Sequence, residues 1–194
     1  MNRRQLIGAT SAVLAMAALP ALADEKSSSS GLLAQARDAM ARHRDRVRDT
    51  DRMAIVDFGQ HSSKPRFHLI DLKAGTVQSF LVAHGRGSDP AHTGWLKSFS
   101  NVDGSAASSQ GAYLTGEAYE GKHGHSRRLT GLDAENSNAL SRGIVIHSAW
   151  YVTPDMAAGP GIGRSEGCFA LSARDHATVM DQLGADCLLL AVKA

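Results

Sequence analysis

The spacing of apolar residues changes character along the chain, and the changes mark out its elements. Over residues 32–49, Leu33, Ala36, Met40 and Val47 recur at helical spacing among Arg and Asp, which predicts a packing helix with a solvated outer face. From Met53 the period shortens to that of strands, predicted at 53–58, 67–72 and 76–83, with Lys73-Ala74-Gly75 turning between the last two. Further strands are predicted at 111–115, 143–152 and 187–192. A helix at 173–183 starts on Ser172, followed three residues later by Asp175 in the manner of a capping box, and Gly184 closes it. Strands spaced this closely leave no room for repeated βαβ units, so the pattern predicts a β-dominated α+β domain.

Length and composition narrow the picture. The 194 residues suffice for one globular domain, and 43% hydrophobic with 21% charged residues is the make-up of a folded protein. The formal charge of +2 resides in residues 1–23, which hold Arg3 and Arg4 and no acidic residue. The remainder is formally neutral, which excludes nucleic-acid binding through bulk charge. The same segment reads as an export signal: a basic start, an Ala/Leu-rich stretch, and Ala21-Leu22-Ala23 as a small-x-small cleavage site. Asn2-Arg3-Arg4-Gln5-Leu6-Ile7 also resembles a twin-arginine signal. No later segment has the length and apolarity of a bilayer span. Residues 24–31, with four consecutive serines, are expected to form a flexible spacer, and 32–194 a single catalytic domain with an N-terminal helix. The expected location is the periplasm or cell envelope.

Glycine and cysteine point to the chemistry. Fourteen of the 19 glycines lie between Gly85 and Gly167, in irregular sequence of the kind that lines sites. Cys187 sits in a continuous apolar run and reads as a buried strand residue. Cys168 instead ends the glycine-rich loop Gly161-Ile-Gly-Arg-Ser-Glu-Gly-Cys, where Gly167 allows close backbone approach and the N–H groups of Gly167 and Cys168 are placed to hold an oxyanion. A thiol becomes a nucleophile when a base favours its thiolate. Of the nine histidines, His147 stands out because the β-rich segment Gly143-Ile-Val-Ile-His would hold it rigidly, with Val145 on its face and Ile144 and Ile146 on the other. A structural histidine, and a Cys168–Cys187 disulfide, are the competing readings.

His147-Ser148, sixteen residues, then Ser165-Glu-Gly-Cys168 resembles the His-Ser … Ser/Thr-His-Gly-Cys signature of YkuD-type L,D-transpeptidases. Ala83-His84-Gly85, Ser108-Ser-Gln-Gly-Ala-Tyr113, Tyr119-Glu-Gly-Lys122 and Arg142-Gly-Ile-Val-Ile-His147 resemble the subgroup described as murein L,D-transpeptidase catalytic-domain proteins. The resemblance covers roughly residues 53–192 and implies a mixed β-sandwich or barrel with short helices. It implies that Cys168 attacks the stem-peptide carbonyl preceding the terminal D-Ala of peptidoglycan, forms a thioester, and passes the acyl group to an amine. His147 would take the thiol proton, the carbonyl of Ser148 would orient the imidazole, and Gly167 and Cys168 would supply the oxyanion site. No cofactor, metal or integral membrane partner is implied; the partner is the peptidoglycan stem peptide. Two positions depart from the wider family: Glu166 replaces the usual His, and Ala170 replaces the usual Arg or Asn.

Several residues are expected around the groove. Arg164 is a candidate for a forked contact to a substrate carboxylate and for offsetting Glu166, with Ser165, His84 and Tyr119 alongside. His123-Gly-His125 reads as a basic glycine turn rather than a metal site, because its spacing is loose. The order His before Cys excludes a papain-like arrangement, and no Cys-x-x-Cys pair supports a redox role. The alternatives are an L,D-carboxypeptidase or endopeptidase that hydrolyses the same acyl-enzyme, and a non-catalytic wall-binding module.

Overall fold

The computed structural model describes residues 20–159 and 161–194, with side chains from Ser30 onward. Residues 1–19, which hold most of the expected export signal, lie outside the described residues.

Eight strands form one sheet: β1 (Arg52–Asp57), β2 (Phe67–Asp71), β3 (Thr76–Phe80), β4 (Gly111–Gly121), β5 (Gly124–Gly131), β6 (Val145–Ser148), β7 (Phe169–Leu171) and β8 (Leu188–Val192). Their spatial order is β3-β2-β1-β8-β4-β5-β6-β7. Pairing is antiparallel except at β1–β8 and β6–β7. The two ends of the sheet meet: beyond β3, Ala83 bridges to Ala170 of β7, its N–H donating to the Ala170 carbonyl at 2.9 Å. The sheet is therefore nearly closed into a barrel, which leaves few unpaired edge groups.

The alternation along β1 and β8 explains why both are apolar throughout. Ala54, Val56, Leu189 and Ala191 face the barrel interior with Phe58, Tyr113 and Phe169. Met53, Ile55, Leu188 and Leu190 face the other way, onto Ala36, Ala39 and Met40 of α1 (Pro20–Arg42). With both faces covered, a strand needs no polar positions.

The helix boundaries differ from those read in the sequence. The α1 backbone is helical across residues 24–31, expected to be a spacer. Serine costs a helix no more than about 0.7 kcal/mol relative to alanine, and Glu25 and Lys26 before the serines and Leu32, Leu33 and Ala34 beyond Gly31 are strong helix formers. The helix stops at Arg42 rather than 49, because the N–H groups of Arg48 and Asp49 both turn to the Asp186 carbonyl, each at 3.2 Å. β6 is also shorter than the predicted 143–152: after Ser148, Ala149 N–H bonds the Leu171 carbonyl and the chain turns into α2 (Pro154–Ala158). β5 was hidden by its polar sequence; its Arg127 is buried, donating to the carbonyls of Gly116 and Met180. α3 (Ala173–Gln182) begins where expected, with the Ser172 hydroxyl accepting from Asp175 N–H at 3.1 Å.

Gly131 ends β5 under the carbonyl of buried Asn136, and a Cβ there would lie 1.9 Å from that oxygen. Gly131→Ala is expected to cost about 1–3 kcal/mol through overpacking. Gly31→Ala, whose Cβ meets nothing within 4 Å, is expected to be neutral or stabilising. Urea unfolding of the two variants checks the contrast.

Candidate active site

The turn Ser165–Cys168 is held from every side. Ser165 N–H donates to the His84 carbonyl at 2.9 Å, and Arg86 N–H returns a bond to the Ser165 carbonyl at 2.8 Å. The Ser165 hydroxyl donates to the Cys168 carbonyl at 2.7 Å and accepts from Gly167 N–H at 3.1 Å. Gly167 has φ +119°, and a Cβ there would lie 2.7 Å from both the Ala107 carbonyl oxygen and the Ile144 side chain. Only glycine fits. Arg142 fixes the facing loop, bonding the carbonyls of Ser100 and Ala107 and the hydroxyls of Ser105 and Ser109.

Register turns the thiol and the imidazole to the same face. β6 and β7 run parallel with Ile146 opposite Phe169 and His147 opposite Ala170. Ile144, Ile146, Phe169 and Leu171 fill the interior, so alternation turns Val145, His147, Cys168 and Ala170 to the outer face together. Cys168 is free, as is Cys187, and only 9% exposed, with its Sγ 3.5 Å from the Gly143 carbonyl. Burial raises its pKa, with Glu166 adding to the effect and Lys122 and Arg142 opposing it.

His147 is 3% exposed, and its Nδ1 lies 2.9 Å from the Ser148 carbonyl. A carbonyl only accepts, so Nδ1 carries the proton and Nε2 is left as the basic nitrogen. Burial draws the His147 pKa down to about 4, helped by His123, His176 and Lys122 and opposed by the Ser148 bond. The ring borders a pocket of about 540 Å³, with His123, Trp150, Tyr151, Thr153 and Ser172 among its walls. Trp150, 81% exposed, stands at its rim.

Three expected groove residues have other duties. His84 is 1% exposed: its Nδ1 accepts from Arg66 at 2.7 Å and its Nε2 faces Asp89 at 3.4 Å. Burial, then the Arg66 charge, lowers it to about 4. Burial likewise draws Arg66 down to about 9, which leaves it charged at neutral pH. Asp89 stays below the usual carboxylate range despite its burial, because Thr93 and Gly94 donate to it. Arg164 directs Nη1 to the carbonyls of Asp89 and Pro90, so it tethers the loop rather than presenting a free fork. Ser165 is buried with its hydroxyl fully used. The cation beside Glu166 is Arg86, at 2.9 Å, not Arg164. The Gly167 N–H is likewise engaged, by Ser165, so the Cys168 N–H is the one left for an oxyanion.

Tyr119 aligns through Ser126 with His147 across β4, β5 and β6, which places it on the outer face two strands away, under the Arg128 guanidinium. The His123-Gly-His125 turn splits its two rings: His125 pairs with Glu120 at 2.9 Å, while His123 stacks on His147. Arg66, Asp89, Arg86 and Arg142 were not singled out as site residues in the sequence. Only Arg142 carried a signal, through its place in the segment leading to His147.

A nearly closed, β-dominated barrel that turns a buried thiol and a carbonyl-fixed imidazole to one face defines the class of fold. The model of the L,D-transpeptidase catalytic domain family matches residues 24–191, and the chain belongs to that family. No curated protein matches it. Among solved structures, it is similar to an L,D-transpeptidase from Mycobacterium smegmatis (14% identity, TM-score 0.45, covering 74% of this chain and 59% of that one). It is also similar to L,D-transpeptidase 3 from Mycobacterium tuberculosis in complex with a faropenem-derived adduct (13%, 0.49, 74% and 60%). A third is the helical cell shape determining protein from Campylobacter jejuni (12%, 0.48, 73% and 47%). The chain thus spans about half to three-fifths of the length of these proteins.

The buried neutral histidines have a consequence for stability. His84 and His147 titrate near 4 in the folded chain and near 6.5 when unfolded, so the unfolded state binds more protons between those values. Their contribution is complete above pH 6.5 and is lost as pH falls toward 4. The urea midpoint is expected to drop between pH 7 and pH 4.5, with unfolding taking up about two protons from this pair. A midpoint constant over that interval would contradict the assignment.

Proposed function

We propose that the chain is an exported cysteine-dependent enzyme that transfers peptidoglycan stem-peptide acyl groups to an amine, forming wall cross-links. The observation that carries the reading is the register of β6 against β7, which turns Cys168 and His147 to one face of the sheet, where His147 borders an open pocket. The segment 1–23 would direct the chain out of the cytoplasm, by the general or the twin-arginine route, to the periplasm or envelope.

The electrostatics favour a neutral resting pair. Burial raises the thiol and lowers the imidazole, so neither ion forms readily before substrate arrives. The proton then moves from Sγ to His147 Nε2 as the Sγ–carbon bond forms at the carbonyl preceding D-Ala. The Cys168 N–H meets the developing oxyanion, joined by Gly167 N–H if that group leaves Ser165. Collapse breaks the C–N bond, D-Ala departs with the proton from His147, and a thioester remains. An acceptor amine attacks the thioester and loses its proton to His147; the C–S bond breaks and Sγ takes that proton from His147, which restores the thiol and the neutral imidazole. The Ser148 carbonyl keeps Nδ1 as donor throughout.

The test is incubation with disaccharide-tetrapeptides and mass spectrometry of the products. Dimers are expected; tripeptides alone mean that water resolves the thioester, and unchanged substrate means a binding module. Cys168→Ala is expected to abolish turnover, and His147→Gln to reduce it about 10²–10⁴-fold. Because His147 must be neutral, the acidic limb of kcat/KM is expected near pH 4 instead of 6.5. A limb at 6.5 would mean a different base or a solvated His147.

A further inference from the structure

His123 occupies the two-residue turn Lys122-His123 between β4 and β5, where Gly121 pairs with Gly124 and no core surrounds the side chain. Its ring nonetheless lies flat on that of His147, with centroids 4.3 Å apart and planes 18° from parallel. The register explains the reach: Ser126 of β5 sits opposite His147, so the hairpin tip three residues earlier folds over the outer face of β6. Two restraints on the base are then of different kinds. The Nδ1 bond to the Ser148 carbonyl fixes the ring in its own plane. The stack fixes the tilt of that plane, which the single hydrogen bond leaves free.

The charged surroundings act in the same sense. Around His147 stand His123 and Lys122 from the hairpin turn and His176 from α3. Around His123 stand Lys122, Glu166 and His147 itself. The charged groups that bear on His147 are thus cationic or potentially cationic, and they disfavour an imidazolium.

We propose that His123 is a positioning residue for His147: carried on the β4–β5 tip, its ring sets the plane of the base and, with Lys122, keeps it unprotonated. The inference rests on the base role given to His147 above. It assigns to this turn a part in the reaction distinct from that of nucleophile, base or oxyanion donor.

His123→Ala and His123→Phe, compared with the unmodified chain, test it. Phe keeps the flat ring and removes the titratable nitrogens; Ala removes both. Two readouts are taken: histidine ring titration by NMR, which needs no turnover, and the pH profile of Cys168 acylation by a carbapenem, followed by mass. His147 is expected to titrate higher in both variants, by about half a unit or more. The acylation plateau is expected to fall about 10–100-fold in His123→Ala, as misplacement of a reacting group implies, and to recover in large part in His123→Phe, with its acidic limb moved upward. Unchanged His147 titration in both variants overturns the proposal. So does a plateau in His123→Ala equal to that of the unmodified chain, or one in His123→Phe as low as in His123→Ala. An unmodified chain that takes up no carbapenem, while its His147 titration still responds to His123, refutes the acyl-transfer reading and supports the coupling of the two rings. Urea midpoints of the variants, expected to match because the turn is exposed, separate misplacement of the base from loss of fold.

Discussion

The parallel pairing of β6 with β7 is the contact on which the site depends, and it is a weak one by itself. β6 has four residues and β7 three, and parallel pairs are slightly less stable per residue than antiparallel ones. Such a pair persists only when both faces are covered. Inside, Ile144, Ile146, Phe169 and Leu171 lock into the barrel core. Outside, the strap from Ala83 to Arg86 is bonded to Ser165 and Ala170, which ties the first half of the domain to the cysteine turn. Without that strap, the sheet would end in an open edge beside the Cys168 turn.

The strap is anchored by charge in the interior. Arg66, His84 and Asp89 are almost completely buried: Arg66 donates to the Val82 carbonyl and to His84 Nδ1, Asp89 accepts from Gly94 N–H, and His84 Nε2 faces Asp89 at 3.4 Å. Breaking such a network leaves an uncompensated buried charge, which costs far more than the intact network contributes. His84 serves the site by its carbonyl, which holds Ser165, while its ring serves the fold. The same economy appears at Arg142 and Arg164, whose guanidinium groups bond carbonyls that loops cannot pair by themselves. Arg164, expected to meet substrate, is thus used with Arg142 to order the glycine-rich loops.

The strands that were legible are those with one dominant physical cause. β1, β2 and β8 are apolar because they are buried, and α3 starts on a serine that caps it. β5 was not legible, since its arginines are stabilised by distant carbonyls and by the Tyr119 ring rather than by solvent. β7 is too short to show a period. His123 looked like part of a glycine turn because stacking across strands leaves no trace in local spacing.

The sequence by itself determined the family and the β-dominated class, and it singled out Cys168 and His147 as candidate nucleophile and base, because such roles demand particular residue types wherever they fall. What only the tertiary structure decided is which polar groups remain free to act. The hydrogen bonds that occupy His84, Arg164, Ser165 and the Gly167 amide, and the ring that lies on His147, join residues as distant as Asp89 and Arg164, 75 positions apart. Composition fixes how many donors and acceptors the chain has; closure of the barrel fixes which of them meet, and so which are left for a substrate.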